Sequence, residues 1–155
     1  MRQINCTPWK RGRIVSPTYT WDESLTVNAP LKATILVLDD DSAVLSSLQF
    51  LLETHGFAVC SFRNPAAMLD WAEQNLFDCV VVDYKMPGID GLKVAEQLRR
   101  RGSMAPIILV TGFPDNSIFV KAAAAGIQQV LLKPHIEESL VSHIHDHLSA
   151  RAMPL

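Results

Sequence analysis

At 155 residues the chain is long enough for one domain with a sizeable buried core. Hydrophobic residues make up 48% and charged residues 19%, an ordinary globular composition, and a net charge of −2 excludes a basic nucleic-acid-binding footprint. No apolar run reaches the length of a membrane span, and the basic N-terminus lacks the continuous apolar core of a secretory signal.

Residues 1 to about 31 mix Pro8, Pro17, Pro30, Gly12, Trp9, Trp21 and Tyr19 without periodicity and read as a flexible N-terminal extension. From Lys32 onward the pattern is regular. A strand is predicted at about 34–38 and a helix at about 42–55, with Leu45, Leu48 and Leu52 on one face and Gly56 closing it. A second strand follows at about 57–61. Asn64-Pro65 then opens a helix running to about 74, with proline in its first turn. The third strand is 79–82, and a loop punctuated by Pro87, Gly88 and Gly91 leads to a helix at about 90–101. A strand at 106–110, a helix at about 115–125 ending at Gly126, a strand at about 128–132 and a helix at about 136–150 complete the series, with a tail at 151–155. Five successive βα units imply a doubly wound α/β fold, a five-stranded parallel sheet with helices on both faces. The chain stops soon after the last helix, so no attached output domain is expected.

Four polar signals stand at the ends of separate apolar runs. Asp39-Asp40 follow Ile35-Leu36-Val37-Leu38, Asp83 follows Cys79-Val80-Val81-Val82, Thr111 follows Ile107-Ile108-Leu109-Val110, and Lys133 follows Val130-Leu131-Leu132. Function in an open parallel sheet sits beyond the carboxyl ends of its strands, so the fold gathers these groups into one crevice. Three clustered carboxylates repel one another and invite a hard divalent cation such as magnesium. A lysine and a threonine beside them suit a phosphoryl group, Lys133 as a point charge and Thr111 as a hydroxyl donor. The set points to phosphoryl transfer onto an aspartate, a reaction that depends on positioning and charge neutralisation. Taken singly, each signal has a plainer reading. Asp41 and Ser42 serve as helix caps, Asp83 could form a turn, Thr111 could close a strand and Lys133 could be a solvated lysine.

Residues 33 to about 148 resemble the receiver domain of two-component response regulators, as in stand-alone chemotaxis regulators. The stretches that carry the resemblance are Ile35 to Asp41, Val81 to Gly91, Ile108 to Gly112 and Leu132-Lys133-Pro134. They are spaced by 43 residues from Asp40 to Asp83, 28 from Asp83 to Thr111 and 22 from Thr111 to Lys133. The resemblance implies a flavodoxin-like (βα)5 fold and a phosphorelay protein whose Asp83 accepts phosphate from a histidine kinase or a histidine phosphotransfer protein. It implies magnesium on Asp39, Asp40, Asp83 and the backbone carbonyl of Lys85, phosphoryl contacts from Thr111 and Lys133, and a loop shaped by Pro87, Gly91 and Pro134, with a cis bond before Pro134. The signal would reach a downstream protein, or a second copy, through the face from the fourth strand to the fifth helix. Beyond self-catalysed phosphorylation and dephosphorylation, no enzymatic activity is expected. The chain departs from the family at Val130, where the switch position usually carries Tyr or Phe, so the usual aromatic rotation coupled to Thr111 cannot occur. Lys85 and Phe113 flank the site and are placed to affect hydrolysis of the acyl phosphate.

Two rival readings remain. A receiver-shaped interaction module that works without phosphate is kept alive by Val130. An aspartate-nucleophile phosphatase of the haloacid dehalogenase type would use Asp39, Asp40 and Asp41, Thr111 and a lysine, but it lacks a later acidic pair and a cap domain and leaves Asp83 unused. Elsewhere, the fourth helix has more apolar residues than one face can bury, which predicts an exposed partner surface. Arg99-Arg100-Arg101 favour the carboxyl end of the third helix through its dipole. His143 and His147 stand at i, i+4 but lack a fixed third metal ligand, so a solvated face is preferred. Cys60 and Cys79 sit in apolar runs and read as buried thiols, which suggests a reducing, cytoplasmic setting.

Overall fold

The computed structural model of the protein describes residues 32–113, 115–134 and 136–152; the extension expected over residues 1–31 lies outside them. Strands and helices alternate throughout: β1 Thr34–Leu38, α1 Ser42–Thr54, β2 Ala58–Phe62, α2 Pro65–Gln74, β3 Cys79–Asp83, α3 Gly91–Arg100, β4 Ile107–Thr111, α4 Asn116–Ala124, β5 Gln129–Leu132 and α5 Glu137–Ala152. All strand pairs are parallel, in one sheet of order β2-β1-β3-β4-β5. This is the doubly wound, flavodoxin-like arrangement, in which the strand order reverses beside β1 and β3 and opens a crevice there.

Alternation along each strand divides the core. Ile35, Val37, Val81 and Ile108 face one layer with Leu45, Leu48 and Leu52 of α1 and Leu140 and Ile144 of α5. Leu36, Leu38, Val82 and Leu109 face the other, with Met68 of α2, Val94 and Leu98 of α3 and Ile118 of α4. Burial on both faces explains why β1, β3 and β4 read as apolar runs. The first four helices each begin on a polar side chain. Asp41 accepts from the Ala43 and Val44 N–H groups, Asn64 from Ala67, Asp90 from Lys93 and Asp115 from Ser117.

The element boundaries differ from expectation for local reasons. Phe57 was expected to open the second strand, but its N–H bonds to Leu52 O in the turn that closes α1, and the ladder starts with Ala58 N–H on Ala33 O. Asp83 and Thr111 lie inside their strands, because the registers Asp83↔Val110 and Thr111↔Leu132 carry the pairing one residue further. The last helix runs to Ala152, past the expected end at 150. Cys60 and Cys79 are buried in the two layers of the core, as their apolar runs predict.

Candidate functional site

Strand register assembles the site. Leu38 pairs with Val82, so Asp39, one residue on, stands level with Asp83. Thr111 ends β4 beside Leu132, and Lys133 is the next residue, its N–H bonded to Thr111 O at 2.8 Å. The sheet thus brings Asp39, Asp40, Asp83, Thr111 and Lys133 to one crevice at the carboxyl ends of four strands. The bond between Lys133 and Pro134 is cis.

Asp39 and Asp83 are 2% and 9% exposed, and Lys133 Nζ lies 3.5 Å from Asp39 Oδ2 and 3.3 Å from Asp83 Oδ1. One ammonium therefore serves two buried carboxylates. Burial pushes the carboxyl of Asp39 above its ordinary pKa. The Asp41 N–H and Lys133 oppose that rise, and the charge of Asp40 adds to it. Asp83 is raised by burial first and then by the charge of Asp39, with Lys133 again opposing. Burial pulls the Lys133 ammonium down, but the charges of Asp39 and Asp83 outweigh it and hold the ammonium above its ordinary value. Three carboxylates face one ammonium, so when they are ionised the site carries more negative charge than its own cation neutralises.

A carboxylate oxygen from each of Asp39, Asp40 and Asp83 lies within 4.8 Å of the others, and this is the group of possible metal ligands found among the described residues. An oxygen-only set with uncompensated charge fits a hard divalent cation such as magnesium. His143, His145 and His147 join no such group, and the His145 ring packs against Phe57 at 5.1 Å between centroids.

The loop after β3 is held tightly. Tyr84 N–H donates to Val110 O, and Gly91 N–H donates to Tyr84 O, both at 2.8 Å. A Cβ at Gly91 would lie 2.6 Å from Asp83 O and 2.8 Å from Leu109 Cδ1, so only glycine fits beneath Asp83. The Thr111 hydroxyl is 1% exposed as part of its residue and accepts the Phe113 N–H at 3.0 Å. Lys85 Nζ sits 4.3 Å from the centroid of the exposed Phe113 ring, so the two residues flanking the site touch each other. Val130 is half-buried against the layer formed by α2, α3 and α4.

Two arginines had no functional signal in the sequence. Arg63, just after β2, donates from Nε and Nη2 to Asp40 O at 3.2 and 3.1 Å. Arg99 was expected to act only on the α3 dipole, but it donates to Gly126 O, Ser103 O, Ala105 O and Gln128 Oε1. Gly126 and Gln128 lie across the fold, and Ser103 and Ala105 in the segment after α3, where periodicity along the helix cannot reveal them.

The profile of the response regulator receiver domain matches residues 35–145. The chain is similar to the transcriptional regulatory protein FixJ of Bradyrhizobium diazoefficiens, 38% identical over 113 residues, which cover 73% of this chain and 55% of that protein. It is also similar to the response regulator protein TodT of Pseudomonas putida, 32% identical over 137 residues, covering 88% of this chain and 60% of that protein. The chain thus spans between half and two thirds of the length of these relatives. Among solved structures, the CheY-like receiver domain protein of Methanospirillum hungatei superposes with a TM-score of 0.73 at 27% identity, over 77% of this chain and 96% of that one. The beryllofluoride-activated NtrC4 receiver domain dimer shares the fold, with a TM-score of 0.72 at 24% identity over 77% of this chain and 98% of that one.

Proposed function

The chain belongs to the response regulator receiver domain family, and we propose that it accepts a phosphoryl group on Asp83 from the phosphohistidine of a histidine kinase or histidine phosphotransfer protein. The observation that carries this reading is the pair of buried carboxylates sharing Lys133, with Asp83 Oδ1 3.3 Å from the ammonium. In the transfer, an Asp83 oxygen attacks phosphorus while the bond from phosphorus to the donor imidazole nitrogen breaks. The electron pair stays on that nitrogen, and an acyl phosphate forms. Lys133 moves its contact from Asp83 to a phosphoryl oxygen, and the Thr111 hydroxyl turns away from Phe113 to donate to another. Asp39, Asp40, Asp83 and the Lys85 carbonyl would hold magnesium, which supplies charge neutralisation at the phosphoryl oxygens. Water later attacks phosphorus, the bond to the Asp83 oxygen breaks and inorganic phosphate leaves, so the chain turns over no separate substrate and is no enzyme in that sense.

The readout goes to a downstream protein, or to a second copy, through the face of α4, β5 and α5. There Phe119 and Val120 are 50% and 72% exposed, as an apolar excess in α4 requires, and Leu132 is 43% exposed. Val130 changes how that face is reached, because a valine has no ring to rotate when Thr111 turns. A net charge of −2 over the whole chain speaks against electrostatic attraction to nucleic acid, and among the described residues no helix is long and apolar enough to cross a membrane. The proposed setting is the cytoplasm, where an ATP-dependent kinase works.

The reading is tested by incubating the chain with magnesium and acetyl phosphate and measuring the intact mass of wild type and Asp83→Ala. One added phosphoryl group on wild type and none on the variant is the expected result. No adduct on wild type favours a second reading for which Val130 speaks, an interaction module that works without phosphate.

A further inference from the structure

We infer that Arg63 is a positioning residue that holds the Asp39–Asp40 segment in the shape a divalent cation requires; the inference rests on the phosphoacceptor reading of the same site. Asp39 and Asp40 both lie between the end of β1 at Leu38 and the helix cap at Asp41, and only Asp39 continues the β1–β2 ladder, through its N–H. The neighbours of Asp40 are fixed. Asp39 N–H donates to Phe62 O at 3.2 Å, and Asp41 N–H donates to Asp39 Oδ1 at 2.9 Å. The remaining freedom is rotation of the peptide units on either side of Asp40, and that rotation would swing its carboxylate in or out of the cluster.

Arg63 limits this freedom. Both Nε and Nη2 donate to Asp40 O, at 3.2 and 3.1 Å, so the planar guanidinium fixes the direction of that carbonyl as well as its distance. The arginine backbone is itself anchored. Phe62 before it ends β2 and is buried, and Asn64 after it caps α2. Phe62 O and the Arg63 side chain thus hold consecutive residues, Asp39 and Asp40, from the same side.

Two consequences of the guanidinium oppose each other, and this makes the inference decisive to test. As a fixed positive charge near the cluster, Arg63 repels an incoming cation, so its removal would tighten cation binding. As a positioning group it holds a ligand in place, so its removal would weaken binding, by about tenfold on the scale of other outer partners of metal ligands. We expect the second effect to win, because the guanidinium is exposed and its charge is screened by water, whereas the carbonyl contact is direct.

The experiment titrates the full chain with manganese(II), reading free ion by its paramagnetic resonance signal, for wild type, Arg63→Ala, Arg63→Lys and Arg63→Gln. Competition with magnesium is the second readout, and circular dichroism checks the fold. Positioning predicts a Kd raised about tenfold in Arg63→Ala. Arg63→Lys should also be weak despite keeping the charge, because an ammonium cannot make the forked contact. Arg63→Gln should recover part of the loss, because it keeps an amide donor without charge. An unchanged or lowered Kd in Arg63→Ala overturns the inference alone. No saturable manganese binding by wild type overturns both the inference and the receiver reading beneath it.

Discussion

The ammonium of Lys133 lies 3.3 Å from Asp83 Oδ1 although β4 stands between their two strands. The contact spans the crevice, and the same ammonium reaches Asp39 at 3.5 Å. Replacing Lys133 with Met leaves two buried carboxylates and Asp40 without that charge. Allowing for the lysine's partial exposure, stability at pH 7 should fall by about 1–2 kcal/mol. The deficit should shrink at a lower pH, as the raised carboxylates take up protons and the repulsion falls. Urea denaturation at both pH values measures it, and equal stability of variant and wild type would show that the pair is energetically idle.

Acid should stabilise the site in the absence of metal. Burial raises both Asp39 and Asp83, so the folded chain binds these protons more tightly than the unfolded one. Their contribution to stability is present in full below the ordinary carboxylate pKa and is lost as pH rises through the raised folded values. Between those limits wild type should lose stability with rising pH relative to Asp83→Asn, which cannot ionise there. Adding magnesium should reverse the difference at pH 7, because a ligand of the folded state stabilises by mass action. Denaturation curves of the two proteins with chelator and with magnesium decide the matter.

Gly91→Ala should disturb the acceptor from below. The new methyl meets Asp83 O at 2.6 Å and Leu109 Cδ1 at 2.8 Å, and the backbone oxygen cannot step aside as a flexible side-chain end would. A cost of about 1–3 kcal/mol is expected for such overpacking, together with a slower gain of phosphoryl mass from acetyl phosphate. Wild-type stability and rate in the variant would mean that the loop relaxes freely.

Arg99→Ala should destabilise without touching the site. Its guanidinium satisfies the carbonyls of Gly126, Ser103 and Ala105 and thereby ties the end of α3 to the turn after α4. Losing these charge-assisted bonds should cost about 2–3 kcal/mol, seen as a lower Tm, with divalent cation affinity unchanged. A variant as stable as wild type would show that water replaces the guanidinium at those carbonyls.

The apolar runs and the polar residues ending them determined the five strands, the doubly wound class and the identity of the five crevice residues. Strands buried on both faces must be apolar, so Asp39, Asp83 and Thr111 stand out where the runs of β1, β3 and β4 break. The exposed apolar surface of α4 was legible for a related reason, since Ile118 and Ala122 fill the buried stripe and leave Phe119 and Val120 outside it. Tertiary structure alone decided how these groups meet. Register sets Asp39 level with Asp83 and places Asp83 and Thr111 inside the ladder, and pairing across strands has no signature in the periodicity of either strand. The sharing of one lysine by two carboxylates, the bonds of Arg99 to Gly126 O and the hold of Arg63 on Asp40 all join residues distant in the chain. Periodicity reports which side of an element faces the core, whereas these contacts depend on what stands opposite.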